Sequence, residues 1–462
     1  MNTSLTLYPP PNETILGVSR SLREGQLTCA SILEHCFQQI DRWDDRVHAW
    51  VVVDRAGAMK QARDLDRELK EGRDRGPLHG IPVGIKDIID VAGLPTAAGF
   101  RPWERRVAEN DAAVVAALRA AGAVILGKTV TTQFAWVDPP VTLNPWNPGR
   151  TPGGSSSGSA VAVATGMCLA AIGSQTGGSI IRPASFCGIV GYKPPFRILN
   201  TQGVLPFAPH LDHLGPLART VTDVRLVMQE ILAHQSVPGS AAGPASEVRS
   251  EAAPRLVRLR GFFDRRADMP MYEAYEDTLE QLSRAGASIV ELPDDDIDFE
   301  NILFQHRQIM ASEAAAVHEA RYAESREHYA THIKALIEEG ARIPASHYAR
   351  ALLAWRDLEH APVQPDVRTT PLPGVDPRGI DAVVSPAAVG PAPDPTTTGN
   401  PCFNAPWSYF GWPAATIPMR LAPDGLPLGL QIAAAGPVAS DVLGVARWCE
   451  NVLRSGNGPG GA

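Results

Sequence analysis

Charged residues are scarce in this sequence. Asp, Glu, Lys and Arg make up 20% of the 462 residues, and 42 basic side chains against 50 acidic ones leave a formal net charge of −8. Proteins that bind nucleic acid usually present a basic surface that neutralises phosphates. The composition therefore argues against nucleic acid as a partner.

Cysteine pairs, a secretory signal and long apolar runs are also missing. The six cysteines form no C-x-x-C pair, which favours a reduced, cytoplasmic protein. Residues 1–14 lack the basic segment followed by an apolar one that marks a secretory signal. The longest weakly polar run, residues 160–173, has 14 residues. It is too short to cross a bilayer and is typical of a buried helix, so we expect no membrane span.

Glycine and proline, by contrast, are abundant. The chain has 41 of each, together about 18% of positions, above the usual ~12% but below the ~25–30% of low-complexity chains. This composition indicates a folded protein rich in turns. With roughly 150 residues per domain as a guide, the length allows three domains or one large unit.

Helical and extended patterns alternate along the chain. Asp111 is placed to cap a helix in which Val114 and Leu118 have helical spacing, and residues 123–126 then resume as a buried strand. Residues 275–291 repeat this helix-then-strand order. Such units imply parallel β-α-β connections and an α/β fold. Further elements are expected as two helices over 28–70, long helices over 299–358, strands near 382–385 and 429–433, and a helix over 440–453.

The first segment that suggests chemistry is the glycine- and serine-rich stretch 152–159. It is not a phosphate-binding loop, because no lysine follows its last glycine. Residues 154–158 match G-x-S-x-G, which would make Ser156 a nucleophile on a strand-to-helix turn. The preceding residues do not have a strand pattern, so a plain loop stays open as the alternative.

The second segment spans residues 173–183. Gly177 and Gly178 precede Ser179, and glycines at such positions let backbone N–H groups converge on one point, since glycine tolerates positive φ. Acyl-transfer sites use such donors to hold a developing oxyanion. The alternative is an ordinary glycine turn.

The third segment is the apolar run 81–89, which contains Lys86. A lysine in such a run is either an edge-strand charge paired with Asp87 or Asp90, or a buried amine. Burial would lower its pKa and make it a usable base near neutral pH.

A histidine pair offers another candidate site. His210, Asp212 and His213 suggest a Ser-His-Asp triad or a two-histidine metal site. A third metal ligand is missing nearby, and residues 206–216 are typical of a loop. We therefore expect no metal and no cofactor.

Taken together, the three segments resemble the amidase signature family of serine hydrolases. The motifs are GIPVGIKD at 80–87, PGGSSSGS at 152–159 and FCGIVGYKP at 186–194, and Ser155 and Ser179 lie 24 residues apart, as the family's two serines usually do. The resemblance extends from about residue 29 to residue 453.

The resemblance implies a fold and a mechanism. One large mixed β-sheet flanked by helices on both faces is expected, as a single domain over 1–462 with a helical segment 1–75, a core of about 76–230 and a substrate-pocket part of about 255–462. Residues 236–254 and 361–379 are expected to be surface linkers. The implied reaction is cleavage of an amide C–N bond through an acyl-enzyme, with Ser179 as nucleophile, Ser155 as bridging serine on a cis peptide and Lys86 as base. The implied oxyanion hole comprises the backbone N–H groups of Thr176, Gly177, Gly178 and Ser179.

The sequence departs from the commoner family pattern beside the nucleophile. That pattern has Asp four positions before it and Arg two positions after it, whereas this chain has Gln175 and Ile181 there, with Arg182 one position further. Some family members share this Gln/Arg arrangement, and the resemblance implies that Arg182, together with Gln175, is a candidate substrate contact. The guanidinium of Arg182 would bind a carboxylate bidentately. The alternative is a structural arginine bonded to backbone carbonyls.

The substrate is open at this stage. Trp136 and Trp407 lie in aromatic segments that line the family's acyl pocket, which favours aryl amides, anilides, aryl carbamates or esters, although aromatic residues are more often core. Arg182 favours a carboxylate-bearing amide or a urea-type compound. A third possibility is the amidase subunit of a tRNA amidotransferase. We otherwise expect a monomer or homodimer acting on a small-molecule amide or carbamate.

Overall fold

A computed structural model describes residues 5–7, 13–235, 252–359, 379–436 and 441–456 of the protein. The expected linkers therefore lie almost entirely outside the described residues, as does the first residue of the helix expected over 440–453. Within the described ranges, no helix is both long enough and apolar enough to cross a bilayer.

One mixed sheet of eleven strands forms the centre of the described structure. Its strands lie side by side in the order β1-β3-β2-β4-β6-β5-β10-β11-β9-β7-β8. In chain order they are β1 (Trp50–Val53), β2 (Pro82–Lys86), β3 (Val124–Thr129), β4 (Ala170–Gln175), β5 (Val190–Lys193), β6 (His213–Ala218), β7 (Arg255–Arg260), β8 (Ser288–Pro293), β9 (Ala382–Pro386), β10 (Ala414–Leu421) and β11 (Pro427–Ala433).

Helices also form in the described residues, and many of them contact strands of this sheet. They are α1 (Ile15–Arg23), α2 (Cys29–Val47), α3 (Arg55–Lys70), α4 (Ala113–Ala120), α5 (Ser157–Ala164), α6 (Ile181–Cys187), α7 (Val221–His234), α8 (Phe262–Arg266), α9 (Met269–Arg284), α10 (Phe299–Ser325), α11 (Thr331–Gly340), α12 (Ala345–Glu359), α13 (Ala405–Tyr409) and α14 (Val442–Gly456).

Pairing directions confirm the α/β prediction. β2 runs parallel to both β3 and β4, and β7 runs parallel to β8 and β9. The remaining pairs are antiparallel, among them β4 with β6 and β10 with β11. β2, β3 and β4 are buried along their whole length, as parallel strands covered by helices usually are.

The structure differs from the sequence expectation in several places. β1 separates the two expected N-terminal helices, because the run Trp50–Val53 is rich in β-branched residues and pairs with β3. The run 160–173 is not one helix: α5 ends before Gly166, which adopts φ +71°, and β4 follows. Asp111 caps no helix, since its carboxylate accepts from the Ala92 N–H at 2.8 Å and pairs with Arg119.

The sheet brings the chemistry-bearing segments to one edge. Because β2 and β4 are parallel neighbours, their carboxyl ends meet there. Lys86 ends β2, and Gln175 ends β4. Ser155 lies two residues before α5, and Ser179 lies two residues before α6.

A buried ion pair stabilises the chain beside this edge. The Lys128 ammonium donates to the Asp87 carboxylate at 2.9 Å, to the Pro95 carbonyl at 2.9 Å and to the Thr96 hydroxyl at 2.8 Å. The second carboxylate oxygen of Asp87 accepts from the N–H groups of Ala97 and Ala98. Both charges are therefore fully paired although both side chains are buried.

Replacing Lys128 by Ala should destabilise the fold by about 3–5 kcal/mol, because it leaves the buried Asp87 carboxylate without its counter-charge. The measurement is the free energy of unfolding in urea. Lys60→Ala is the matched control, since Lys60 pairs with Asp64 on the exposed face of α3, and a loss of at most about 0.5 kcal/mol is expected there. Equal losses in the two variants would contradict the structural role of the Lys128 pair.

Candidate active site

Lys86 is a buried amine and not an edge-strand charge. Its side chain is 0% exposed, and β2 is an interior strand rather than an edge. The Nζ atom donates to Ser155 Oγ at 2.6 Å and to Ser174 Oγ at 2.8 Å. Asp87 is not its partner, because that carboxylate pairs with Lys128.

The surroundings of Lys86 favour its neutral form. Burial lowers the pKa of Lys86 well below its ordinary value, and the negative charge of Asp212 opposes this shift. Burial raises the pKa of Asp212 to about 6, against hydrogen bonds from the Thr176 hydroxyl and from the N–H groups of Phe207 and Ala208. An uncharged amine beside two hydroxyls is a competent proton acceptor.

Two loops meet above this lysine. The peptide bond between Gly154 and Ser155 is cis, as the family resemblance implies. The Ser156 N–H donates to the Ser179 carbonyl at 3.4 Å, so the loop that carries Ser155 lies against the loop that carries Ser179. Ser156 itself is buried, and its hydroxyl bonds the Ser174 backbone. Because these bonds occupy its hydroxyl, Ser156 is not free to act as the nucleophile that the G-x-S-x-G match suggested.

The loop over residues 176–179 has its carbonyls bonded and its N–H groups free. The carbonyls of Thr176, Gly177, Gly178 and Ser179 accept from the His306 ring, the Ser408 hydroxyl and the N–H groups of Arg182 and Ser156, respectively. Within the described ranges, no acceptor receives a hydrogen bond from the four N–H groups of this loop. Such a loop offers donors to an incoming anion.

Gln175 holds this loop from behind. Its amide oxygen accepts from the N–H groups of Ile180 and Ile181 at 2.9 and 3.0 Å, and its amide nitrogen donates to the Ser408 hydroxyl. The side chain is fully buried. We expected Gln175 among the substrate contacts, but the structure uses both ends of its amide to fix the loop.

His306 of α10 supports the same loop. Burial lowers the pKa of its imidazole to about 4. The ring is therefore neutral near pH 7, and its Nε2–H donates to the Thr176 carbonyl at 2.9 Å. That assignment follows because a carbonyl can only accept.

The two glycines of the loop differ in what they permit. Neither Gly177 nor Gly178 adopts a left-handed φ, so the expected reason for glycine here is wrong. A Cβ on Gly178 would lie 2.5 Å from Asn404 Oδ1 and 2.7 Å from Arg182 Nη1. A Cβ on Gly177 would meet nothing closer than 3.7 Å. Close packing, not backbone freedom, requires glycine at position 178.

Arg182 matches the structural alternative. Its side chain is 1% exposed, its Nε donates to the Thr398 carbonyl at 2.6 Å, and its Nη2 donates to the Gly154 carbonyl at 2.8 Å. Burial lowers its pKa to about 10, which still leaves it charged at neutral pH. The guanidinium thus ties the serine loop to residue 398 and has little access to a ligand.

The histidine pair does not form a triad or a metal site. The His210 ring bonds Glu313, whereas His213 Nδ1 donates to the Leu211 carbonyl at 2.7 Å. In the part of the chain that the structure describes, no three His, Cys, Asp or Glu side chains cluster as a metal site requires. His213 also begins β6, so the expected loop ends at Asp212.

A cavity of about 550 Å³ opens beside Ser174 and Thr176, where β4 ends and the loop over residues 176–179 begins. Ser174, Thr176 and Asp212 lie at its polar part, and Arg197, Asn200 and Thr201 contribute further polar groups. Most of the remaining wall is apolar and comprises Ile88, Phe196, Leu199, Leu205, Phe207 and Leu214, among others. Such a lining suits a small ligand with an apolar body.

The aromatic residues expected in the pocket do not line this cavity. Trp407 is 0% exposed and packs against Phe263 and Phe410 in the core. Trp136 is half-buried and stacks on Phe207 at 5.5 Å between ring centroids. Since Phe207 lines the cavity, Trp136 supports its wall from outside. Trp407 is therefore a core residue and does not contact the cavity.

Sequence reasoning missed several supporting side chains. Ser174 supplies the second hydroxyl that bonds Lys86, and its place in the segment 173–183 was the only sequence signal. His306, Asn404 and Ser408 reach the site from positions more than 120 residues away along the chain. No local motif marks them, because only the tertiary fold brings them to the loop.

Comparison with known proteins identifies the family. The family model described as Amidase matches residues 31–441. The chain belongs to the Amidase family. The prediction of an enzyme that hydrolyses amide C–N bonds is thereby confirmed.

Similar proteins carry two kinds of name. The chain is 32% identical to a glutamyl-tRNA(Gln) amidotransferase subunit of Koribacter versatilis, over 95% of this chain and 98% of that protein. It is 31% identical to the putative amidase AmiD of Mycobacterium tuberculosis, over 90% and 88%. The glutamyl-tRNA(Gln) amidotransferase subunit of Desulforudis audaxviator is 46% identical over 215 residues, which span 45% of this chain and 44% of that protein.

A solved structure confirms the amidase fold. A crystal structure of an amidase superposes with a TM-score of 0.81 at 30% identity, covering 95% of this chain and all of that one. The eleven-stranded mixed sheet is therefore the sheet of an amidase family member.

The contrast between the two loop glycines gives a test. Gly178→Ala should lower stability by about 1–3 kcal/mol, because its methyl group would press on the buried atoms Asn404 Oδ1 and Arg182 Nη1, and hydrogen bonds of the other polar atoms hold both side chains in place. Gly177→Ala is the matched control and should change stability by less than about 0.5 kcal/mol. Thermal unfolding of both variants measures the difference. Equal midpoints would show that the loop is less tightly packed than described.

Proposed function

We propose that this amidase family protein hydrolyses a linear amide through an acyl-enzyme on Ser179, with anilides, aryl carbamates and esters as chemically related substrates. The observation that carries the proposal is the 2.6 Å hydrogen bond between the buried Lys86 amine and Ser155. In this arrangement the neutral Lys86 amine serves as the base and the Ser155 hydroxyl as the proton relay. Ser179, on the adjacent loop, serves as the nucleophile.

The proton follows the relay. Ser179 Oγ attacks the substrate carbonyl carbon, its proton passes to Ser155 Oγ, and the proton of Ser155 passes to Lys86. The ammonium of Lys86 then returns a proton along the same path to the leaving nitrogen, and the C–N bond breaks. A water molecule attacks the acyl-enzyme with the same base, which frees the acid and restores Ser179.

The backbone holds the charge that develops. Four consecutive N–H groups, from Thr176 to Ser179, are free to donate to the tetrahedral oxyanion. Their carbonyls are bonded to His306, Ser408, Arg182 and Ser156, so the donors need little reorganisation when the charge forms. Removal of one such donor typically costs about 10²–10³ in kcat.

A second candidate function is the amidase subunit of a tRNA amidotransferase. The near full-length similarity to the amidotransferase subunit of Koribacter versatilis favours it. The departure at Gln175 and Ile181 from the commoner family pattern speaks against it. Release of ammonia from glutamine, together with a stable complex with a small partner protein on purification from the native host, would distinguish this function from that of a free amidase.

Ser179→Ala and Lys86→Met should each lower amide turnover by at least about 10²–10³, since one removes the nucleophile and the other removes the base but keeps a similar volume. Hydrolysis of an aryl amide panel measures the effect. Covalent labelling by a fluorophosphonate should be lost in Ser179→Ala.

The matched control is Lys193→Met. Lys193 is also fully buried at a strand end, but its amine donates only to the Pro194 carbonyl among the described residues, and activity should stay within about twofold of wild type. Turnover above a few per cent of the wild-type value in Ser179→Ala would show that Ser179 is not the nucleophile. Retained turnover in Lys86→Met would point to a different base.

A further inference from the structure

Arg197 is an exposed cation at the opening of the cavity. It is among the lining residues, and its side chain is exposed, whereas Ser174 and Thr176 of the same lining are buried. Its guanidinium carbon lies 4.9 Å from the centroid of the Phe196 ring, which also lines the cavity. Arg197 therefore marks the rim, and the two buried residues mark the floor next to Lys86.

This arginine has no counter-charge among the described residues. No carboxylate in those ranges forms an ion pair or hydrogen bond with it, and its described contact is the Phe196 ring. Many other surface arginines of this protein pair with a carboxylate, for example Arg307 with Glu339. The forked donors of Arg197 are free to bind an anion.

The backbone at Arg197 is unusual as well. Its φ is +60°, in the left-handed region that favours glycine and disfavours a long side chain. Residues held in such conformations cluster at ligand sites. The chain thus keeps an arginine where a glycine would be less strained.

The other ionisable groups of the lining are Asp212 and His213. The Asp212 carboxylate sits at the floor, where Thr176, Phe207 and Ala208 donate to it. His213 is buried, and both its burial and the nearby Lys193 favour its neutral form. Of the described lining residues, Arg197 is therefore the one that carries a permanent positive charge.

We infer that the cavity selects amides with an apolar body and a terminal carboxylate, and that Arg197 binds this carboxylate at the rim while the amide reaches the floor. The inference rests on the proposed function and names the substrate class for the same site. It assigns to Arg197 the recognition that the sequence suggested for Arg182, whose guanidinium is buried on backbone carbonyls.

Electrostatics fixes the direction of such a substrate. A carboxylate at the floor would meet the charge of Asp212, and like charges in a partly buried site repel. At the rim it meets Arg197 instead. The apolar wall between the two ends, which includes Leu199, Leu205 and Phe207, favours a methylene chain or an aryl ring over a polar linker.

The experiment compares octanamide with suberic acid monoamide, which match in chain length and differ only by the terminal carboxylate. Calorimetry measures the affinity of both for Ser179→Ala protein, so that no turnover interferes, and for Ser179→Ala protein that also carries Arg197→Gln or Arg197→Gly. Ammonia release measures kcat/KM for both amides with wild type, Arg197→Gln and Arg197→Gly. Arg63→Gln is the matched control, because Arg63 is exposed on α3 outside the cavity lining.

We expect the carboxylated amide to bind at least about fivefold more tightly than octanamide, with a preference that weakens at higher salt. Arg197→Gln and Arg197→Gly should abolish this preference and leave octanamide within about twofold, whereas Arg63→Gln should keep it. Arg197→Gly also suits the left-handed backbone, so a loss of preference in that variant is not a folding defect.

Equal affinity for the two amides, or equal weakening of both in the Arg197 variants, would overturn the inference. The proposed function fails separately, if Ser179→Ala protein still releases ammonia from either amide. The binding comparison decides the role of Arg197 in both cases.

Discussion

The burial of the Lys86 amine, which bonds no carboxylate among the described residues, is the constraint on which the site depends. Three lysines are fully buried in the described part of the sheet, and their partners differ. Lys128 has Asp87 and stabilises the fold as an ion pair, and Lys193 has one carbonyl. Lys86 has two serine hydroxyls. Of the three, only Lys86 combines a lowered pKa and hydroxyl partners with no bonded carboxylate among the described residues, and we propose that the enzyme uses it as its base.

Polar groups from distant parts of the chain hold the loop that is proposed to bind the oxyanion. His306 and Ser408 donate to carbonyls of the loop 176–179, and Gln175 accepts from the N–H groups that follow this loop. The four N–H groups of the loop itself are left as donors. This arrangement requires the interior strands β2 and β4, since their parallel pairing sets Lys86 beside the loop. The pairing of these two strands thus positions the proposed base next to the proposed oxyanion hole.

The α/β fold class could be predicted from sequence because helix-then-strand order is a local pattern that implied parallel pairing. For Lys86, the apolar run left an edge-strand charge and a buried amine as alternatives, and only the family resemblance implied that it is the base. What could not be predicted depends on contacts between distant segments. The roles of Arg182 and Gln175 follow from partners at residues 398 and 408, and Trp407 lies in the core because α13 packs there. β1 was missed because four residues between two helices give little periodicity.

The pH dependence of kcat/KM tests most directly whether Lys86 acts as a neutral base, because this parameter reports the ionisation of the free enzyme. Deprotonation of Lys86 supplies the base, so activity should rise with pH and level off well before an ordinary lysine pKa of about 10.4 is reached. We expect this plateau in wild type for a neutral amide such as octanamide. A rate that keeps rising about tenfold per pH unit to about pH 10 would show that Lys86 titrates as an ordinary lysine, and would contradict the role proposed for its burial.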